Sequence, residues 1–81
     1  MAEVVKVFWK TDCPKCPAAK AAVADSQKAE LFNLDDVDGL AEAAFYGVMS
    51  TPSIIVTNES GNEVISWRGE VPSRQEIEKW L

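Results

Sequence analysis

The only two cysteines of the chain, Cys13 and Cys16, stand where an apolar run gives way to an alanine-rich one. Val4-Val5-Lys6-Val7-Phe8-Trp9 comes first, then Lys10-Thr11-Asp12, then Cys13-Pro14-Lys15-Cys16-Pro17 and the stretch from Ala18 onward. Residues 3–9 are mostly apolar and alternate poorly, which reads as a strand covered on both faces. Ala18 to about Gln27 is strongly helix-forming. The order predicts Cys13 as the helix N-cap and Pro14 as the first helical residue, where a missing N–H does no harm. Pro17 is tolerated because it still falls in the first turn. A sulfur held there meets unpaired backbone N–H groups and the positive end of the helix dipole. Both favour the thiolate, which is the species that attacks disulfides. Cys16 follows about one helical turn later, near enough to resolve a mixed disulfide. The residues alone point to thiol–disulfide exchange.

Eighty-one residues make one small domain, 1–81. With 47% hydrophobic and 26% charged residues the composition is that of an ordered globular protein. A disulfide between Cys13 and Cys16 closes a tiny loop and restrains the unfolded chain very little, so the pair reads as chemistry and not as a staple. The net charge of −5 is unevenly placed. Residues 1–28 carry five lysines against three acids, whereas residues 29–81 carry three cations against ten acids. The acidic total argues against nucleic acid as a partner. The lysines around the cysteines read as solvated surface, with Lys15, inside the motif, the one placed to add positive charge near Cys13. No stretch approaches the roughly 20 apolar residues of a membrane span, and Met1-Ala2-Glu3 does not open a secretory signal. A cytoplasmic, monomeric protein is the expectation, and in that compartment a Cys-x-x-Cys is catalytic, redox-sensing or metal-binding.

The rest of the chain supplies the expected frame. Ala29 to Leu34 reads as a second strand, and a second helix capped by Asp36 or Asp38 runs to Phe45 or Tyr46, with Gly47 ending it. Ser53-Ile54-Ile55-Val56-Thr57 is an emphatic strand, Asn58 to Asn62 a turn, and Glu63 to Arg68 the returning strand of a hairpin. Gly69 breaks the pattern. Ser73-Arg74-Gln75-Glu76 is a capping box that opens a last helix, with Ile77, Trp80 and Leu81 on its inner face. The order is β-α-β-α-β-β-α: an α/β fold with a four-stranded mixed sheet and helices on both faces. A right-handed crossover makes the first two strands parallel. Cys13 then falls at the C-terminal end of the first strand, where open α/β sheets place their sites.

From Val4 to Leu81 the chain resembles the thioredoxin/glutaredoxin superfamily. Four stretches carry the likeness: Cys13-Pro14-Lys15-Cys16 after the first strand, Thr51-Pro52 before the third, the turn at Ser60-Gly61-Asn62, and the closing segment from Gly69 to Leu81. The resemblance implies a thioredoxin-like fold and a cis Thr51–Pro52 bond, with Pro52 packed against the active-site disulfide. It also implies that the backbone at Thr51 pairs with an extended segment of substrate. It implies an enzyme that reduces protein disulfides, with Cys13 as nucleophile, Cys16 as resolving thiol, and no cofactor beyond the redox-active cysteine pair. Its partners would be disulfide-containing proteins and a reductase of the flavin- or ferredoxin-linked thioredoxin-reductase type, or dithiols of another protein.

Three departures from the family pattern stand out. Asp12 precedes Cys13 and Pro14 follows it, a Cys-Pro-x-Cys closer to glutaredoxins and periplasmic thiol oxidases than to thioredoxins. Val5, Val7 and Phe8 occupy the strand where thioredoxins carry a buried acid, which leaves Asp12 as the alternative proton acceptor for Cys16. Arg68-Gly69-Glu70 stands where glutaredoxins have a glutathione-binding turn, and Glu70 would repel the carboxylates of glutathione. Trp9 is expected to pack beside the site or in the core, and Trp67 and Trp80 in the core near the last helix. A soft-metal carrier for Cu(I) or Zn(II) is the competing reading, because two thiolates suit such ions. That fold runs β-α-β-β-α-β with a Met two positions before its first Cys; here that position is Thr11 and the chain closes on a capped helix.

Overall fold

The structure is a computed structural model, and residues 3–81 are described. Met1 and Ala2, on which the reading of the N-terminus partly rests, lie outside the described residues. Elements follow in the order β1 (Val4–Trp9), α1 (Cys16–Ala22), β2 (Ala29–Asn33), α2 (Val37–Phe45), β3 (Ser53–Thr57), β4 (Glu63–Arg68) and α3 (Arg74–Glu78). The sheet order is β2-β1-β3-β4. β1 and β2 are parallel, with Val5 opposite Ala29 and Trp9 opposite Asn33. β3 runs antiparallel to both β1 and β4. The four-stranded mixed sheet expected from the sequence is present, with the hairpin strands at the residues where the β-branched runs begin and end.

Period-two alternation divides the sheet residues between two cores. Val5, Val7, Ile54, Val56 and Trp67 face one side, where Ala19 and Val23 and then Ile77 close over them. Phe8 and Ile55 face the other side and pack with Ala43 and Val48. The small side chains of α1 let that helix lie close to the sheet. β3 is buried along its whole length, as a central strand covered on both faces must be. The hairpin turn is held by Asn58, whose Oδ1 accepts from the N–H groups of Ser60 and Asn62. Gly61 takes the left-handed conformation there, at φ 82°.

The ends of α1 differ from the sequence reading. Lys15, not Cys13, is the N-cap, and Pro14 lies in a turn before the helix. Pro17 explains the later start: without an N–H it cannot donate to Cys13, so the first i→i−4 bond runs from Ala19 N–H to the Lys15 carbonyl, 3.2 Å. The helix stops at Ala22 rather than Gln27. Val23 and Ala24 donate to carbonyls three residues back, and Ser26 Oγ turns the chain by accepting from Lys28 N–H. Pairing of Ala29 with Val5 requires that turn, and tertiary pairing overrides the helix propensity of Ala24 to Gln27.

α2 is anchored at its far end from outside. Arg68 Nη1 donates to the carbonyls of Tyr46 and Gly47, at 3.1 and 3.5 Å, where helix carbonyls lack partners. Its Nη2 bonds Glu63 at 2.7 Å. At the near end Asp36 is the N-cap, although its side chain makes no capping bond, and Asp38 stands in the first turn where a carboxylate suits the dipole. The capping box of α3 is formed in both directions, Glu76 N–H to Ser73 Oγ and Ser73 N–H to Glu76 Oε1.

Candidate active site

Strand direction gathers the candidate residues at one end of the sheet. β1 and β2 both finish there, β3 begins there opposite Phe8, and β4 ends there opposite Ser53. Four connections therefore meet at this end: residues 10–15, 34–36, 46–52 and 69–73. Cys13 lies in the first of them and Cys16 opens α1. The two are joined as a disulfide, with their Cα atoms 5.3 Å apart. Cys16 N–H donates to the Cys13 carbonyl at 3.3 Å, closing the turn that carries Pro14 and Lys15. Pro14 and Lys15 are both exposed at the tip of that turn.

The sulfurs are unequal. Cys16 retains 2% of its surface and Cys13 9%, so solvent reaches the bond mainly from the Cys13 side. Cys13 is the less covered of the two, yet it is more covered than a freely exposed nucleophile. The electrostatics also change. Because α1 begins at Cys16, Cys13 stands ahead of the helix and not at its cap; the Cys16 N–H is committed to the Cys13 carbonyl and Pro17 has none. Fewer backbone donors face this site than a helix beginning at Pro14 would offer.

The third connection brings Thr51 and Pro52 to the same end. The Thr51–Pro52 bond is cis, as the resemblance implies. The Pro52 carbonyl accepts from Gly69 N–H at 2.9 Å, and Ser53 Oγ donates to the Ser50 carbonyl at 2.8 Å, so the loop is tied on both sides of the proline. Gly69 takes φ 76°, and a Cβ there would come within 2.9 Å of Ser50 Oγ. Arg68 beside it is engaged with α2 and Glu63, and Glu70 is exposed.

Two neighbours of the motif were not singled out by the sequence. Asp35 Oδ2 accepts from Thr11 N–H at 3.0 Å and from Thr11 Oγ1 at 2.6 Å, tying the connection into Cys13 to the one that leads into α2. The Thr11 hydroxyl is the main cause, and its N–H the next, of an Asp35 pKa below the usual carboxylate value. The two residues are 24 apart in sequence, and only the parallel pairing of β1 with β2 makes them neighbours. Lys20, read as solvated surface, instead holds its Nζ 3.6 Å from the centre of the Trp9 ring, a cation–π contact between the last turn of α1 and the end of β1. Trp9 is half-buried, Trp67 is in the core, and Trp80 packs against it.

Val7 is fully buried, and the strand beneath the motif carries no acid between Val4 and Trp9. Asp12 is exposed. Among the described residues no three His, Cys, Asp or Glu side chains come together as a metal site. The element order is also not the β-α-β-β-α-β of the soft-metal carriers. No helix among the described residues is long and apolar enough to cross a membrane.

Comparison with known proteins agrees with this geometry. A family model described as a thioredoxin domain matches residues 3–81. No curated protein matches the sequence. Among solved structures, a mutant thioredoxin from Halobacterium salinarum superposes with a TM-score of 0.75 at 19% identity, covering 98% of this chain and 71% of that one. A thioredoxin-fold protein from Helicobacter pylori gives 0.73 at 19% identity, over 93% of this chain and 64% of that one. A thioredoxin from Thermus thermophilus gives 0.69 at 21%, over 96% and 69%. These likenesses concern the fold. A cysteine pair at bonding distance within this fold supports redox chemistry of the thiol–disulfide type. The chain belongs to the thioredoxin-domain family.

Proposed function

We propose that the protein is a thiol–disulfide oxidoreductase that reduces disulfides of other proteins through Cys13 and Cys16. The observation that carries the reading is the pair itself: two sulfurs within one bond, unequally exposed, at the sheet end that also holds the cis Thr51–Pro52 step. In the reduced protein the Cys13 thiolate attacks one sulfur of a substrate disulfide. A mixed disulfide forms and the first substrate sulfur leaves as a thiolate. Cys16 then gives up its proton and attacks Cys13 Sγ. The Cys13–Cys16 bond closes, the second substrate sulfur leaves, and it takes up a proton. Two electrons have passed to the substrate, which ends as a dithiol. With no acid on the strand beneath the motif, the Cys16 proton passes to water or to the departing thiolate. Lys15 adds positive charge near Cys13, and Pro14 restricts the motif. The backbone at Thr51 pairs with an extended stretch of substrate. A flavin- or ferredoxin-linked reductase, or a dithiol protein, returns the pair to the reduced state in the cytoplasm.

The cysteine variants test this directly. With dithiothreitol as donor, Cys13→Ser is expected to abolish the catalysed reduction of insulin; Cys16→Ser, reduced and freed of donor, is expected to accumulate a mixed disulfide with insulin visible by mass on a non-reducing gel. Full insulin reduction by Cys13→Ser would overturn the assignment.

A further inference from the structure

The second helix is built inside out. At 3.6 residues per turn, Val37, Leu40, Ala41, Ala44 and Phe45 share an arc of about 140°. All five are exposed, Val37 at 83% and Phe45 at 77%. The opposite side, against the sheet, holds Gly39, Ala43 and the charged Glu42, whose carboxylate pairs with Lys6 Nζ. Surface helices ordinarily turn their apolar stripe inward and their charges to water. Met49, in the connection that follows, is 94% exposed as well. Contiguous apolar surface of this kind marks a place where another molecule sits.

Charge identifies the kind of molecule. From Ala29 to Trp67 the chain has seven acids and no lysine or arginine. Glu42 is neutralised by Lys6, but Asp35, Asp36 and Asp38 are exposed around the N-terminal end of this face. Lys10, next to Asp35, is the cation that acts on this rim. Between β2 and the first turn of α2 lies an open cleft of about 400 Å³, whose walls combine Leu31, Phe32 and Val37 with Asp36 and Asp38. Such a cleft accepts an aliphatic side chain flanked by a cation. A second copy of this chain would bring the same acidic rim against this one, and like charges facing each other oppose that pairing.

We infer that the outer face of α2, with the adjoining edge of β2, is a docking surface for a protein partner that presents a basic amphipathic helix. Aliphatic residues of that helix lie on Val37, Leu40 and Phe45, and its lysines or arginines meet Asp35, Asp36 and Asp38. Ala41 and Ala44, at the middle of the arc, let the partner backbone approach closely. The face adjoins the connection that carries Cys13, through the Thr11–Asp35 bonds, so the docked partner stands beside the disulfide. The inference does not depend on what the cysteines do.

The test uses the full chain and three synthetic helical peptides of about five turns. One carries leucines on one face and lysines on the other, the second replaces lysine by glutamate, and the third replaces leucine by serine. Amide shifts are followed by NMR at physiological salt, and the oligomeric state by sedimentation. The leucine–lysine peptide is expected to shift residues 30–49 selectively. Leu40→Lys with Phe45→Lys, both at exposed positions, should weaken it at least about tenfold while leaving the thermal midpoint nearly unchanged. Equal binding of the glutamate peptide, equal binding of the serine peptide, or shifts confined to other surfaces would overturn the inference. A dimer that buries the same amides without peptide would also overturn it, because the face would then be a self-interface.

Discussion

Thr11 supplies two donors to one carboxylate, and both favour the ionised form of Asp35. The hydroxyl is the larger influence, the backbone N–H the second, and Lys10 adds a smaller one. A carboxyl whose folded pKa is depressed contributes stability that is complete above its unfolded pKa of about 3.9 and is lost as the pH falls through the lower folded value. Thr11→Val removes the hydroxyl and leaves the N–H. The Asp35 midpoint, followed by carboxyl-carbon NMR, should then rise toward the ordinary value, and the fall in stability on acidification should become shallower. An unchanged midpoint would show that the hydroxyl is not the cause. At this scale the cysteine pair was legible because its spacing and its place after an apolar run are both local. The tie between Thr11 and Asp35 was not, since each residue alone reads as a polar loop position.

Element boundaries were legible wherever the stop signal is local. Ser73 and Glu76 announce α3, Gly69 ends β4, and Asn58 to Asn62 turn the hairpin, each through a bond or a backbone conformation that its own neighbourhood supplies. α1 was misread at both ends because Pro17 and the pairing of Ala29 outweigh an alanine-rich composition. α2 holds a less visible constraint. Gly39 lies against β2, and a Cβ there would sit 2.0 Å from the Asn33 carbonyl oxygen. In a solvent-facing helix Gly→Ala stabilises by about 1 kcal/mol through propensity. Here the sign reverses: Gly39→Ala should destabilise by about 1–3 kcal/mol, the usual range for forcing volume into a packed contact. A urea midpoint that stays level or rises would show that α2 can move off the sheet freely.

Across the whole molecule, the two faces of the sheet are held by different means. One carries an apolar core beneath α1 and α3. The other closes partly through charge, with Lys6 reaching Glu42 of α2 and lying 5.1 Å from the Tyr46 ring and 5.4 Å from the Phe32 ring. Burial opposes the Lys6 ammonium most strongly, but the hydrogen bond and charge of Glu42 prevail, and its pKa is raised. That contribution is therefore complete below the unfolded lysine value of about 10.4 and lost as the pH rises through the folded one. Glu42→Ala leaves the ammonium half-covered and unpaired, and should destabilise by about 1–3 kcal/mol in urea unfolding. Lys6→Met combined with Glu42→Leu should recover most of the loss, because an apolar pair of similar volume replaces the ion pair. A double variant no more stable than Glu42→Ala would contradict this. The four-stranded mixed sheet, with its parallel first pair and its hairpin, was legible from the length and polarity of each run. The charged contact beneath α2 was not, because Glu42 alone looks like any surface glutamate.

Lys15 sits at the exposed tip of the turn, between the two sulfurs, and so provides a cleavage point inside the disulfide loop. Trypsin, cutting after Lys10, Lys15 and Lys20, releases Thr11-Asp12-Cys13-Pro14-Lys15 and Cys16-Pro17-Ala18-Ala19-Lys20. In oxidised protein the pair stays covalently joined and migrates as one species; in reduced protein it separates into two pentapeptides. A single mass spectrum of a digest thus records the electron occupancy of the molecule at the moment it was quenched.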